Sequence, residues 1–341
     1  MIHKEHDFRN KKPAKILTST QLEYIEKYNN DFDKFSFEYI ECECGSKNDY
    51  TLSYRDKYGL RSNNIICLDC GLVRINPRMD GKSLGLFYEE HYRPIYAGYE
   101  YATDDFFNEQ YERSLERIYN FSKEFLKGNE KILEIGCGAG GIIKAFKDKG
   151  FEVEGCDLGS KYLEYGRSKG LTLHHGSSQS LVELNKKFDF IIISNVFEHM
   201  SNLSEELKTV RELLNDDGKV FIDLPGILHI QTSHTRLFNV LQNAHNYNFS
   251  LNTLTKVLNN QGFNLLNGNE FIRSIFIKTD NFIPYLKDKK HAGNVLTYLE
   301  NSEKNIKFRK YKKEIRNSVS IFLRNNFIGI YNRLLSIRDK K

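Results

Sequence analysis

The chain has 341 residues, of which 40% are hydrophobic and 28% are charged, and it carries a net charge of +5. This composition is ordinary for a soluble globular protein, and the length suits two domains rather than one. No run of residues reaches the roughly 18 apolar positions of a membrane span, and residues 1–15 lack the apolar core of a signal peptide, so we expect a cytoplasmic protein.

Shifts in residue pattern divide the chain into five predicted segments. Over residues 129–280, strand-like apolar runs alternate with helical patterns, which predicts an α/β fold with a doubly wound, Rossmann-like sheet. The other segments are an N-terminal extension (1–36), a small cysteine-containing module (37–80), a helical linker (81–128) and a basic, helical C-terminal extension (281–341).

Two cysteine pairs mark the small module. Each pair lies beside a glycine that can turn backbone N–H groups toward thiolates. In a reducing compartment, four thiolates in two close pairs predict a structural zinc ion. The alternative is four buried free thiols. The four cysteines are Cys42, Cys44, Cys67 and Cys70.

The linker is rich in aromatic residues up to Phe107 and then shows apolar residues at helical spacing to about Leu126. Tyr88 and Tyr92 lie in its aromatic part. We expect these two tyrosines to cover a bound cofactor or to enter a substrate pocket, and a surface position is the alternative.

A glycine-rich stretch opens the α/β domain. Residues 132–141 form an apolar run that passes through Glu134 and then has glycine at alternate positions, 136, 138 and 140. Without side chains there, a ligand can approach the backbone and meet the free N–H groups of the following helix. Asp157 ends the next apolar run, where an acid can accept both hydroxyls of a ribose. These features predict an adenosine-type cofactor, and the partial match to the G-x-G-x-x-G template leaves a nicotinamide dinucleotide as the alternative.

Five blocks in this order resemble the class I S-adenosylmethionine-dependent methyltransferases. The blocks are the loop at 134–140, the acid at Asp157, the stretch 188–199 that ends in Glu198-His199, the turn and strand at 214–222, and Gly262-Phe263. The resemblance implies a seven-stranded sheet that closes with an antiparallel hairpin. It also implies S-adenosylmethionine as the cofactor.

Positions that match the family's motifs are the predicted cofactor contacts. These are Glu134, Gly136, Cys137, Gly138, Gly140, Asp157, Leu158, Ser178, Asn195 and Val196, with Tyr88 and Tyr92 as a cover.

Two histidines are candidates for the chemistry. A base is needed when the attacked group is a hydroxyl or a carbon acid, because a proton must leave. His199 follows the fourth strand, at the edge where ligands gather in open α/β sheets. His245 opens a block similar to the family's His-x-x-x-Phe-[Ser/Thr] pattern. We predict that His199 and His245 act as the base or orient the substrate; structural hydrogen bonding is the alternative for each.

The cysteine module and the start of the linker resemble the zinc-binding region that precedes certain bacterial sugar methyltransferases, among them deoxysugar C-methyltransferases. This implies a small-molecule acceptor, a nucleotide- or lipid-linked sugar of surface polysaccharide synthesis. The C-methyltransferases have a large second domain after the hairpin, whereas this chain has only residues 285–341 there, so we favour O-methylation.

The C-terminal extension concentrates positive charge. Residues 285–341 hold 15 Lys or Arg against 5 Asp or Glu, and from Phe308 onward apolar residues recur at helical spacing. Three roles compete: packing on the α/β domain or in a homodimer, docking on an anionic membrane, and contact with nucleic acid. Nucleic acid is disfavoured, since residues 37–80 have six basic against seven acidic residues.

One alternative for the whole protein is a non-catalytic zinc-ribbon module on a degenerate methyltransferase scaffold that binds RNA or membrane. A nicotinamide-dependent enzyme is the other.

Overall fold

The computed structural model describes residues 16–96, 101–230 and 236–304, together with Pro13. The predicted amphipathic positions from Phe308 onward lie outside the described residues.

Thirteen strands are found within the described residues. They are β1 (Phe37–Glu38), β2 (Asp49–Arg55), β3 (Arg61–Cys67), β4 (Val73–Ile75), β5 (Arg78–Met79), β6 (Lys131–Ile135), β7 (Glu152–Asp157), β8 (Thr172–His175), β9 (Phe188–Ser194), β10 (Leu214–Asp223), β11 (Tyr247–Asn248), β12 (Phe263–Gly268) and β13 (Arg273–Lys278).

The α-helices of the same part of the chain are α1 (Ser19–Asp31), α2 (Gly81–Phe87), α3 (Arg93–Tyr96), α4 (Asp104–Arg113), α5 (Asn120–Ser122), α6 (Gly141–Asp148), α7 (Ser160–Ser168), α8 (Ser178–Glu183), α9 (Leu203–Leu213), α10 (Leu237–Val240), α11 (Leu251–Asn259) and α12 (Lys289–Lys304). Wider π-helical turns, Tyr88–Tyr92 and Ser114–Tyr119, continue α2 and α4. None of these helices combines the length and the apolar run that a bilayer crossing requires.

Seven strands form the central sheet in the order β12-β13-β10-β9-β6-β7-β8. β13 pairs antiparallel with both of its neighbours, and β6 to β10 run parallel to one another. The predicted α/β sheet and its closing hairpin are therefore confirmed. The order reverses between β6 and β9, and in an open α/β sheet ligands bind outside the carboxyl ends of strands at such a point.

Both faces of this sheet are buried, because alternate residues of its strands enter two separate cores. In β9, Ile191 and Ile193 join a core with helices α8, α9 and α11, whereas Phe190 and Ile192 join a core with α4, α6 and α7. This explains the near-continuous apolar run of β9, which is typical of a strand covered on both sides.

A second sheet connects the cysteine module to the α/β domain. Its order is β11-β4-β3-β2, all antiparallel, and β11 comes from the stretch between β10 and β12. Tyr247 pairs with Arg74, and Asn248 pairs with Val73. The module is thus completed by a strand that lies far away in the sequence and directly follows His245.

Helix α12, the first part of the basic extension, packs on the module. Its Val295 and Leu299 are fully buried in a cluster with Leu52 and Ile66 of the second sheet. Just before the helix, the Asp288 N–H donates to the carbonyl of Asp69 at 2.6 Å. Residues 288–299 therefore contribute to the folded body of the protein.

Candidate functional site

The glycine loop has the backbone geometry that its sequence predicts. Gly136, Gly138 and Gly140 all have positive φ, at +72°, +53° and +78°. A Cβ on Gly136 would lie 2.4 Å from the Val196 side chain, whereas one on Gly138 would meet only Tyr162, at 3.9 Å. Gly136 is therefore required for packing, and Gly138 leaves open space above the loop.

Asp157 faces this open space from the end of β7. Its carboxylate accepts the N–H of Gly138 at 2.9 Å and the N–H of Gly159 at 2.6 Å. The Arg93 guanidinium lies 3.7 Å from the carboxylate and 3.7 Å from the centre of the Tyr162 ring. Loop and acid thus meet at one edge of the sheet, as predicted for a nucleoside-binding site.

Arg113, at the end of α4, brings a positive charge to the ends of β9 and β10. It donates to the hydroxyl of Ser194 and to Asp223 at 3.2 Å. The amide oxygen of Asn195 accepts from the same guanidinium at 2.6 Å in the orientation that satisfies both groups. A guanidinium at this edge can bind a carboxylate.

Glu134 lies at the same edge and is almost fully buried. Burial raises the pKa of Glu134 well above its usual value, although the charge of Arg113 opposes this shift. Among the described residues, its Oε2 atom has no hydrogen-bond partner. Glu134 thus offers a buried polar atom that a ligand could satisfy.

His199 is held in one tautomer. Its Nδ1 lies 2.9 Å from the carbonyl oxygen of Ala244 and 2.8 Å from the hydroxyl of Tyr88. Because a carbonyl oxygen can only accept, the proton belongs on Nδ1, which leaves the lone pair on Nε2. Burial lowers the pKa of His199 to about 4, so the ring is neutral at pH 7 and carries its lone pair on Nε2.

Two more titratable groups surround this ring. The ring of His245 lies edge-on to that of His199, with centroids 4.7 Å apart, and burial lowers the pKa of His245 well below its usual value. Glu198 Oε1 is 3.8 Å from Nε2 of His199, and burial raises the pKa of Glu198 to about 8. The structure therefore brings both predicted histidines together, in neutral form, beside a neutral carboxylic acid.

The cysteine module fixes the segment that carries His245. The buried carboxylate of Asp56 accepts the N–H groups of Tyr58 and Leu60 in its own turn and the N–H of Asn243, at 2.8–2.9 Å. The Asn246 amide then donates to the carbonyl of His199 at 2.9 Å. The positions of the two histidines thus depend on contacts with the β2–β4 part of the second sheet as well as on the central sheet.

The four cysteines converge, with all Sγ atoms within 4.8 Å of one another. Cys42 and Cys70 are 3.5 Å apart, and Cys44 and Cys67 are 3.7 Å apart. Sulfurs around a tetrahedral zinc ion, with bonds of about 2.3 Å, are separated by about 3.8 Å. The donor set therefore fits zinc in chemistry and in spacing.

Two features outside the thiols support such an ion. Gly45 and Gly71 have φ of +70° and +85°, and their N–H groups donate to the carbonyls of Cys42 and Cys67, which closes both loops. Burial disfavours the charge of Arg74, but the nearby Cys42 thiolate and a bidentate hydrogen bond to Asp49 at 2.9 Å raise the pKa of this guanidinium. A buried cation can offset the negative charge of four thiolates.

The other predicted cofactor contacts differ in their surroundings. Tyr88 and Tyr92 pack on His199, and the ring centroids of Tyr92 and His199 are 5.8 Å apart. Cys137 is fully buried, so only its backbone faces the loop side, and Ser178 is buried with its hydroxyl donating to Glu206. Leu158, by contrast, is 72% exposed beside Asp157.

Sequence reasoning missed Arg113 and Asp56. Arg113 lies in a helix for which only the apolar positions led to a prediction. Asp56 is one of seven acidic residues in the module. A charged residue at the end of a linker helix and an acid two residues before Tyr58-Gly59 in a hairpin turn were the available signals.

The α/β part of the chain is similar to known methyltransferases. A family model described as a methyltransferase domain matches residues 107–267, which include the glycine loop, Asp157 and both histidines but not the four cysteines of the small module. An uncharacterized methyltransferase of Staphylococcus carnosus is 28% identical over 148 residues, 40% of this chain and 70% of that protein. A ubiquinone biosynthesis O-methyltransferase of Haemophilus ducreyi is 30% identical over 106 residues, 27% of this chain and 44% of the relative.

Two solved structures are similar to part of the chain. A SAM-dependent methyltransferase from Archaeoglobus fulgidus is 22% identical, with a TM-score of 0.39 over 48% of this chain and 75% of that one. The PH0226 protein from Pyrococcus horikoshii is 19% identical, with a TM-score of 0.43 over 55% and 95% of the two chains.

Proposed function

We propose that this chain, whose residues 107–267 match a methyltransferase domain, is a class I S-adenosylmethionine-dependent enzyme. It methylates an oxygen of a small molecule, a nucleotide- or lipid-linked sugar. The observation that carries the proposal is the placement of two sites at one edge of the sheet. The glycine loop with Asp157 forms the first, and the buried pair His199 and His245 forms the second.

Residues on the cofactor side fit S-adenosylmethionine. Asp157 would accept the ribose hydroxyls, Arg113 would bind the carboxylate of the amino-acid part, and the space above Gly138 would admit the nucleoside. The unpaired Oε2 of Glu134 is a buried acceptor in the same region. When bound, S-adenosylmethionine supplies a methyl group on a sulfonium sulfur, which an oxygen nucleophile can take without an oxidant or reductant.

Residues on the acceptor side would receive the proton that the acceptor hydroxyl loses. The acceptor hydroxyl loses its proton as its oxygen bonds to the methyl carbon, and Nε2 of His199 is the free ring nitrogen that can receive it. Tyr88 and the carbonyl of Ala244 keep the ring in the required tautomer. Burial of the whole cluster excludes water, which would otherwise solvate the attacking oxygen.

The names of relatives and the resemblance of the module support the acceptor class. Several curated relatives are O-methyltransferases of ubiquinone biosynthesis, which favours oxygen over carbon as the attacked atom. A sugar acceptor is supported by the resemblance of the cysteine module, whose four sulfurs we assign to structural zinc.

Calorimetric titration with S-adenosylmethionine, S-adenosylhomocysteine and NAD tests the cofactor first. We expect micromolar binding of the two sulfur compounds and none of NAD. Methyl transfer from labelled S-adenosylmethionine to a panel of sugar nucleotides and lipid-linked sugars then tests the acceptor. Binding of neither cofactor class would favour a degenerate scaffold and overturn the proposal, and binding of NAD alone would favour a nicotinamide enzyme.

A further inference from the structure

A cavity of about 510 Å³ lies next to the candidate acceptor site, on the side of the cysteine module. Its walls come from four places: the end of α1 with the following strand, the β2–β3 hairpin, the stretch from β4 to α2, and the segment 243–246. A volume in this range is typical of pockets that hold a small organic ligand.

Aromatic rings form one wall of the cavity. Phe32 and Phe37 stack on each other with centroids 5.3 Å apart and planes 29° apart, and Tyr39 and Tyr54 add two further rings. Tyr39 is 83% exposed and Phe37 is 37% exposed, which is unusual for large rings in this protein. Exposed aromatic faces of this kind can stack with a planar ring.

Polar groups complete the cavity. The Arg61 guanidinium lies over the Phe32 ring, 5.1 Å from its centre, and presents an exposed positive charge. The amide of Asn63 donates to the carbonyl of Asn76, while its Oδ1 atom is buried and has no partner among the described residues. A buried acceptor without a donor costs free energy, so a ligand N–H at this point would be favourable.

One short segment of the chain connects the cavity to the two histidines of the candidate acceptor site. Asn243 and Asn246 line it, and His245 lies between them in the chain with its ring against His199. A ligand held in the cavity would therefore be anchored close to the group that we assign to the proton transfer.

We infer that this cavity binds a nucleoside diphosphate, the nucleotide part of the acceptor; this inference rests on the proposed methyl transfer to a linked sugar. The base stacks on the aromatic wall and donates an N–H to Asn63, and a phosphate binds Arg61. A lipid-linked sugar could also place a phosphate on Arg61, but a polyprenyl chain has neither a planar ring for the aromatic wall nor an N–H for Asn63 Oδ1. The structure therefore favours a nucleotide-linked over a lipid-linked acceptor.

Direct binding to the full-length protein tests the inference without any need for turnover. Uridine, thymidine, guanosine and adenosine diphosphates are titrated by calorimetry, with pyrophosphate and a short single-stranded RNA as competitors. We expect micromolar binding of at least one diphosphate and at least about tenfold weaker binding after Arg61→Met. Phe37→Ala should weaken binding about fivefold or more, through lost stacking. Arg117→Met, an exposed arginine outside the cavity, is the matched control and should bind as the wild type does.

The results of these binding experiments distinguish a failure of this inference from a failure of the proposed function. S-Adenosylhomocysteine binding should be equal in wild type and Arg61→Met, because Arg61 lies on β3 of the second sheet, whereas the glycine loop follows β6 of the central sheet. If no diphosphate binds, if pyrophosphate binds as tightly, or if RNA binds better, the nucleotide inference is wrong, whatever the cofactor does. If S-adenosylhomocysteine fails to bind but a diphosphate does, the methyltransferase proposal falls and the nucleotide site stands.

Discussion

Replacement of Glu198 by glutamine should stabilise the protein relative to the wild type, and this difference in the free energy of unfolding should grow as the pH rises. The carboxyl group is buried, and both of its oxygens have no hydrogen-bond partner among the described residues. Burial raises the pKa of Glu198 from 4.5 to about 8. The folded protein thus keeps this group protonated at pH values where the unfolded chain ionises it, and folding loses stability as the pH rises from the unfolded value through the folded one.

The size of the effect follows from these two values. Each pH unit between them costs about 1.4 kcal/mol, so between pH 5 and pH 7.5 the wild type should lose about 3 kcal/mol relative to Glu198→Gln. The amide keeps the shape of the carboxyl and does not ionise. Any cost of burying its NH₂ group is the same at both pH values and cancels in the comparison.

Urea unfolding at several pH values measures this difference. The free energy of unfolding is compared for wild type, Glu198→Gln and Glu164→Gln, which removes a carboxylate from an exposed position. Buried acids such as Glu134 are present in all three proteins and do not affect the comparison. A stability difference between wild type and Glu198→Gln that is the same at pH 5 and pH 7.5 would show that the carboxyl is not held neutral, and would remove it from our account of the site.

Three further predictions concern the cofactor and the metal. Metal analysis should find about one zinc ion per chain, lost in Cys67→Ser and kept in Cys137→Ala; metal-free wild type would contradict the zinc assignment. Asp157→Ala should weaken S-adenosylhomocysteine binding by about tenfold or more with the fold retained, since the ribose loses a charged acceptor; an unchanged dissociation constant would disprove this placement of the ribose. Arg113→Met should weaken S-adenosylhomocysteine binding similarly but leave methylthioadenosine, which lacks the carboxylate, unaffected; equal losses for both ligands would mean that Arg113 only supports the fold.

Local patterns were sufficient for the sheet and the glycine loop. The alternation of apolar runs and the glycines at positions 136–140 are dictated by backbone geometry and by burial on both faces, and these act over a few residues. The two histidines could be found because each follows a recognisable block. Their mutual contact at 4.7 Å depends on tertiary structure, and the sequence held no sign of it.

Contacts between distant segments explain what the sequence did not reveal. Tyr88 and Tyr92 were expected at the cofactor or in the substrate pocket, and tertiary packing sets them against His199. The link from Asp56 to Asn243 joins residues 187 positions apart, and neither residue type signals a partner. Arg113 likewise looks like the charged face of a helix until the fold brings Ser194 and Asp223 to it.

The shared second sheet also bears on the order of folding. β11 can pair with β4 only after the long segment between them has brought the two strands together. Contacts between residues so far apart in the sequence form slowly, because closing the loop between them costs conformational entropy. The segment with His245 therefore reaches its final place late, after the central sheet can already exist. A nascent or partly folded chain could then hold a cofactor while lacking an organised base, so the proposed methyl transfer would begin only once β4 and β11 have paired.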